Sequence, residues 1–281
     1  RQPSRARRRL KPARCRGRPA RVPQTDSERA PAEALRAAVV KSGAREPVNE
    51  PSLMSDSTRV PPSDGPGSDA GAPPALPATA RTHLLYLHGF RSSPQSFKAE
   101  RLRAWLAAHA PGVHWWCPQL PPSPCAAVAL ALAGTADWPR HSMAVLGSSL
   151  GGYYATVLAE RLGCTAVVLN PAVDPARDLA PYVGAQHLLH DPAQRFVFLP
   201  QHVDELRALA PARLTQPGRY CAVIAKGDEL LDWREMTARY AGAQIRLLKG
   251  GDHALSDFDQ HLPYLLRFLH LLAPAEAARA P

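Results

Sequence analysis

From residue 81 onward the chain alternates two kinds of apolar pattern. One is a short, largely apolar run bounded by Gly, Pro, Asn or Asp, which predicts a strand buried on both faces. Leu84–Leu87, Val113–Cys117, Met143–Leu146, Thr165–Leu169, Cys221–Ala225 and Ile245–Leu248 are of this kind. The other is a longer segment with apolar residues every three or four positions, the signature of an amphipathic helix. Phe97–His109 places Leu102, Trp105 and Leu106 in that way among charged residues, and Pro111-Gly112 stops it. Ala126–Ala133, Tyr153–Leu162, Met236–Tyr240 and Leu262–Leu272 read as further helices.

Strands that alternate with helices predict the α/β class, with a mostly parallel sheet and helices on both faces. Ligand sites in such sheets form beyond the carboxyl ends of the strands. The alternation breaks at residues 172–219, where no strand is legible and stretches such as His202–Leu209 predict one or two helices. An insertion at that point would lie over the strand ends as a small helical cap. The folded domain is therefore expected over residues 81–273, with a flexible tail at 274–281.

Residues 1–80 change the picture of the whole chain. They are rich in Arg, Pro, Ala, Ser and Gly and have almost no aromatic side chains. Such a segment cannot bury enough apolar surface to offset its ordering entropy, so disorder is expected. A helix over Ala32–Val40 would be isolated and marginal. The net charge of +10 invites a nucleic-acid reading until it is divided along the chain. Residues 1–80 hold 15 Lys and Arg against 8 Asp and Glu, whereas residues 81–281 hold 19 against 16. The basicity belongs mostly to the leading segment, and no nucleic-acid partner is expected for the domain. Arg1–Arg21 reads either as a tail for polyanions or as an extension of a natural protein that starts near Met54, the first methionine. The second reading is preferred.

The five cysteines (Cys15, Cys117, Cys125, Cys164 and Cys221) are widely spaced and show no metal-ligand spacing. They predict reduced thiols and a cytoplasmic setting, with no metal. No apolar run approaches the roughly 18 residues of a membrane span, and the Arg-rich start has no secretory pattern.

The chemistry centres on Gly147-Ser148-Ser149-Leu150-Gly151, which follows the strand Met143–Leu146 and precedes a helix. Gly-x-Ser-x-Gly between strand and helix predicts a strained turn that lifts the middle hydroxyl off the sheet, and it needs small residues on either side. Ser149 is the expected nucleophile. A serine hydroxyl is a weak nucleophile at neutral pH, so it needs a base, and the base needs an orienting carboxylate. In this architecture the chain order is Ser, then Asp or Glu, then His. Lys226-Gly227-Asp228-Glu229 follows the strand Cys221–Ala225, and Gly250-Gly251-Asp252-His253 follows the strand Ile245–Leu248. Asp228 is therefore the expected acid, with Glu229 and Asp232 as alternatives, and His253 the expected base. His88-Gly89-Phe90 leaves the first strand where an oxyanion donor is needed. The N–H groups of Phe90 and Leu150 are the expected oxyanion hole, with Gly89 letting the backbone come close. His88 is expected to brace that loop rather than move protons.

Leu87-His-Gly-Phe90-Arg-Ser-Ser-Pro94, Pro118-Gln-Leu-Pro-Pro122, Leu146-Gly-Ser-Ser-Leu-Gly-Gly-Tyr-Tyr-Ala-Thr156, Asn170-Pro-Ala172, Gly227-Asp-Glu-Leu-Leu-Asp232 and Gly250-Gly-Asp-His253 together resemble the YqiA-like esterases. The likeness covers roughly residues 83–272. It implies an α/β-hydrolase fold, a Ser149–Asp228–His253 triad, a small cap and no cofactor. The match weakens over Pro192–Leu199, where substrate choice is expected to lie. The resulting expectation is a serine esterase for a small-molecule ester. The alternatives are an acyl-CoA thioesterase, with Arg91, Arg195 or Lys226 serving the phosphates, and a binding protein that keeps only the fold. The oligomeric state has no signature in the chain.

Overall fold

The computed structural model describes residues 80–272. The expectations for the leading segment, including a helix over Ala32–Val40 and a start near Met54, lie outside the described residues, as does the tail at 274–281. Ala80, assigned from the sequence to the leading segment, is buried at 2% exposure.

Six strands form one parallel sheet: β1 (His83–Leu87), β2 (His114–Trp116), β3 (Met143–Ser148), β4 (Thr165–Leu169), β7 (Tyr220–Ala225) and β8 (Gln244–Leu248). Their spatial order is β2-β1-β3-β4-β7-β8, so the chain adds β2 on one side of β1 and then crosses over to add β3, β4, β7 and β8 in turn on the other, all parallel. Every residue of β3, β4 and β7 is buried. That is why these strands read as unbroken apolar runs rather than alternating ones.

Successive side chains nonetheless point to opposite faces. Leu85, Val145, Val168 and Ile224 join the core beneath α2 (Pro124–Gly134), α3 (Leu150–Leu162) and α6 (Trp233–Arg239). Leu84, Leu146, Val167 and Val223 join the core beneath α1 (Phe97–His109) and α7 (Phe258–Phe268).

Helix ends differ from the sequence reading where a capping residue or a proline decides them. α6 starts at Trp233 because Asp232 caps it, its carboxylate accepting from Arg234 N–H at 2.8 Å. α7 spans Phe258–Phe268 with Pro263 inside it, rather than starting at Leu262. It stops because His270 takes a positive φ of 56° and the chain folds back, Leu271 N–H donating to Leu266 O at 2.8 Å.

Residues 172–219, expected to hold helices without a strand, hold both. A short α4 (Pro175–Leu179) and α5 (Pro200–Leu209) flank an antiparallel hairpin of β5 (Gly184–His187) and β6 (Arg195–Phe198). Four residues a strand, with apolar residues on both faces of β6 and none β-branched in β5, leave no period to read. α5 is anchored on the main domain at two points. Tyr153 O–H donates to Leu206 O at 2.5 Å, and the Glu205 carboxylate accepts from Ser123 Oγ and Cys125 N–H at the start of α2.

Candidate active site

The turn after β3 has the geometry the motif predicts. Ser149 sits at φ 56° and ψ −122°, a conformation an L-residue adopts only under constraint. The constraint is backbone pairing: Ser149 N–H donates to Leu169 O at 3.0 Å, and Ser149 O accepts from Gly152 and Ala172 N–H. The flanking glycines are obligatory on steric grounds. A Cβ on Gly147 would lie 2.0 Å from Gly151 O, and one on Gly151 would lie 1.9 Å from Leu87 O.

Three loops at the carboxyl edge of the sheet bring the predicted side chains together. Ser149 Oγ lies 3.0 Å from His253 Nε2, and His253 Nδ1 lies 2.8 Å from Asp228 Oδ2. A carboxylate only accepts, so Nδ1 carries the proton and Nε2 is left to accept from the serine hydroxyl. The Asp228 side chain is fully buried, and its Oδ1 also accepts from Leu230 and Leu231 N–H at 2.9 and 2.8 Å. Its rivals have other duties. Glu229 Oε2 accepts from the backbone N–H of His253 at 2.9 Å, holding that residue's main chain rather than its ring, while Asp232 caps α6.

Asn170 is a residue whose role the sequence did not disclose. Fully buried at a φ of 40°, it joins three strand ends. Its Oδ1 accepts from Ala225 N–H at 2.8 Å, and its Nδ2 donates to the carbonyls of Asp252 and His253 at 2.9 and 3.2 Å. The available signal was an Asn-Pro pair at the end of a strand, a common turn pattern with no chemistry attached.

The loop after β1 supplies the opposite wall. A Cβ at Gly89 would lie 3.3 Å from Ser149 Cβ, so the loop passes directly over the serine. The N–H groups of Phe90 and Leu150 have no acceptor among the described residues. Leu150 opens α3, where helical N–H groups are unsatisfied by construction. His88 braces this wall. Leu120 N–H donates to its Nε2 at 3.1 Å, which puts the proton on Nδ1, and Nδ1–H donates to Gly89 O at 3.0 Å. Burial lowers the imidazole to about 4, so the ring is neutral at physiological pH and ties the β1 loop to the Gln119-Leu120 loop.

Two cavities meet at Phe90. One, of about 490 Å³, contains Ser149, His253, Ser96, Lys98 and Ala254. The other, of about 470 Å³, is mostly apolar and is lined by Leu120, Leu130, Leu150, Tyr154, Leu188 and Phe196. The Phe90 ring packs edge-on against Tyr182, Phe196 and Phe198 at centroid distances of 5.3–5.8 Å, joining the hairpin to the loop. Arg91 adds a polar tie, donating to His187 O at 3.0 Å and to His187 Nε2 at 2.7 Å. Among the described residues, no cluster of His, Cys, Asp and Glu is arranged to hold a metal ion, and no helix is long and apolar enough to cross a membrane.

A family model described as "Uncharacterised protein family (UPF0227)" matches residues 83–270. Among solved structures, the chain is similar to a metagenome-derived lipolytic enzyme of the LipS and LipT work, at 19% identity and a TM-score of 0.52, covering 71% of this chain and 98% of that one. A methylesterase from Arabidopsis aligns at 16% identity and a TM-score of 0.49 over 68% of this chain and 99% of that one. Mouse alpha/beta hydrolase domain-containing protein 10 aligns at 16% and 0.48, over 64% and 85%. The fold is that of the α/β-hydrolases.

Proposed function

The chain belongs to the YqiA-like family, UPF0227, and on that premise we propose that it is a serine hydrolase of carboxylic esters, working through an acyl-enzyme. The observation that carries the proposal is the unbroken relay from Asp228 Oδ2 through the His253 ring to Ser149 Oγ, at 2.8 and 3.0 Å, beside two N–H groups without acceptors among the described residues.

In the first half-reaction Ser149 Oγ attacks the ester carbonyl as His253 Nε2 takes its proton. The Asp228 carboxylate stabilises the imidazolium and fixes its tautomer. The carbonyl oxygen becomes an oxyanion and receives hydrogen bonds from Phe90 and Leu150 N–H. Collapse of the tetrahedral intermediate breaks the ester C–O bond, and His253 hands its proton to the departing alcohol. Water then repeats the sequence on the acyl-enzyme, releasing the acid and restoring the serine.

A thioester would use the same groups. Of the basic residues considered for coenzyme A phosphates, Arg91 is held by His187 and Lys226 lies over the Trp233 ring at 4.7 Å, which leaves Arg195 at the apolar cavity as a single candidate for several phosphates. Oxygen esters are therefore the preferred substrates. The cytoplasm is the compartment we favour, because the cysteines are few, widely spaced and show no disulfide framework in the sequence.

The test is labelling by a fluorophosphonate probe followed by peptide mapping. Modification of Ser149 that is lost on prior acylation by an ester supports the proposal. Inert protein favours a binding module on the same fold.

A further inference from the structure

The two cavities that meet at Phe90 are nearly equal in volume but differ in lining: Lys98 stands beside Ser149 and His253 in one, while Arg91 and Arg195 lie at the margin of the mostly apolar other. Given ester hydrolysis as proposed above, their roles follow from proton transfer. His253 must deliver its proton to the leaving oxygen, so the alcohol departs on the His253 side. That assigns the leaving group to the cavity containing His253, and the acyl chain to the apolar cavity beyond Leu150.

Among the described residues lining the leaving-group cavity, Lys98 is the only Lys, Arg, Asp or Glu. Its position in the chain is unfavourable for a cation. Lys98 is the second residue of α1, and the first turn of a helix carries partial positive charge that favours Asp or Glu. Residues that break a local rule in this way are expected at functional sites. The ammonium donates to Ala254 O, on the loop that carries His253, which uses one of its three N–H groups.

Two carboxylates influence it, Asp252 and Asp228, but neither forms an ion pair with it among the described residues. The oxygens of Asp228 are taken by His253, Leu230 and Leu231, and those of Asp252 by the N–H and O–H of Ser256. Burial lowers the ammonium to about 8, with Asp252 and Asp228 only partly offsetting it. A half-buried cation with free donors and no bonded counter-charge faces the space where the alcohol must lie.

We infer that this cavity is a leaving-group subsite for a carboxylate, with Lys98 as the residue that binds it. A monoanion fits a single ammonium that already has two carboxylates nearby; a dianionic phosphate would meet their repulsion. The substrate class is an ester whose alcohol portion carries a carboxylic acid.

The test compares butyrate esters of para-hydroxybenzoate and of para-hydroxybenzamide, which differ in the charge of the leaving group. The quantity read is the ratio of kcat/KM for the charged ester to that for the neutral one, in wild type, Lys98→Met and Lys98→Arg. Lys98→Met is expected to lower the ratio about tenfold, the scale of one partly solvated charge-assisted contact, and Lys98→Arg to retain it. In wild type the ratio should decline as the pH rises through about 8, whereas in Lys98→Met it should be flat. An equal loss on both esters means that Lys98 only holds the His253 loop, and overturns the inference. So does a ratio that is the same in all three proteins. Failure of wild type to hydrolyse either ester overturns the esterase reading, and this inference with it.

Discussion

Around Ser149 the chain is held by several backbone hydrogen bonds and buried polar groups, whereas the hairpin bordering the apolar cavity is joined to the β1 loop by ring edges, one guanidinium and a single backbone bond, Leu189 N–H to Arg91 O at 2.8 Å. Asn170 is fully buried with both ends of its amide occupied. On the hairpin side, Val197 is 53% exposed and the neighbouring Leu189 67%. The strand-end side is thus over-determined and the cap side lightly tethered. Positioning within a few tenths of an ångström matters for proton relay, while an acyl chain needs only a water-excluding wall. Substitutions on the two sides should accordingly act on different kinetic constants.

The sharpest contrast is Ser149→Ala. It should abolish turnover by about 10⁴–10⁶-fold while leaving the melting temperature nearly unchanged, since it removes one hydroxyl from a turn fixed by its backbone. Ester hydrolysis and a thermal melt on the same sample check both halves, and activity surviving in this variant but lost in Ser148→Ala would reassign the turn.

Next in size is the acid. Asp228→Asn should lower kcat by up to ~10⁴-fold through the wrong imidazole tautomer. Asp232→Asn should stay within a few-fold of wild type, because Asn caps a helix as well as Asp does. Side-by-side kcat values decide, and the reverse ranking would remove Asp228 from the relay.

His88 tests whether the strand-end side is as rigid as its hydrogen bonds imply. Its folded-state value is lowered from 6.5 to about 4 by burial, so between those pH values the unfolded chain binds more protons than the folded one. Stability should therefore fall as the pH drops from 6.5 towards 4, by about 3 kcal/mol over the full interval. His83 and His202 are also lowered by burial and titrate in every variant. The difference in urea unfolding free energy between wild type and His88→Gln isolates the His88 share, and parallel curves would sink the assignment.

The smallest effect belongs to the cap. Phe196→Ala enlarges the acyl cavity and removes one ring edge from Phe90. It should raise KM for longer acyl chains by about tenfold and leave kcat for acetate esters near wild type. A loss confined to kcat would show that the cap side positions the chemistry after all.

The same division explains what could be read in the chain beforehand. Buried parallel strands announce themselves as apolar runs, and the residues just past their ends inherit a place at the site; Ser149, Asp228 and His253 were legible for that reason. Chain order and glycine spacing supplied the rest. The hairpin was not legible, because Arg195-Phe-Val-Phe198 puts Val197 on the solvent side and so conceals its alternation. Nor were the supports. Asn170, Glu229 and Lys98 act through partners 24 to 156 residues away in the chain, and no local pattern records such pairings.

The Asn170 clasp bears on how the protein matures. It ties the end of β4 to those of β7 and β8, and the serine and histidine it brings into register are 104 residues apart. Non-local parallel pairings of this kind form slowly, since loop closure must precede any gain from contact. A refolding intermediate with β1, β3 and β4 paired would bury much of the central sheet and have the Ser149 turn in place, yet lack His253. Recovery of esterase activity should therefore lag behind recovery of far-ultraviolet circular dichroism, with catalysis serving as the clock for the docking of the last two strands.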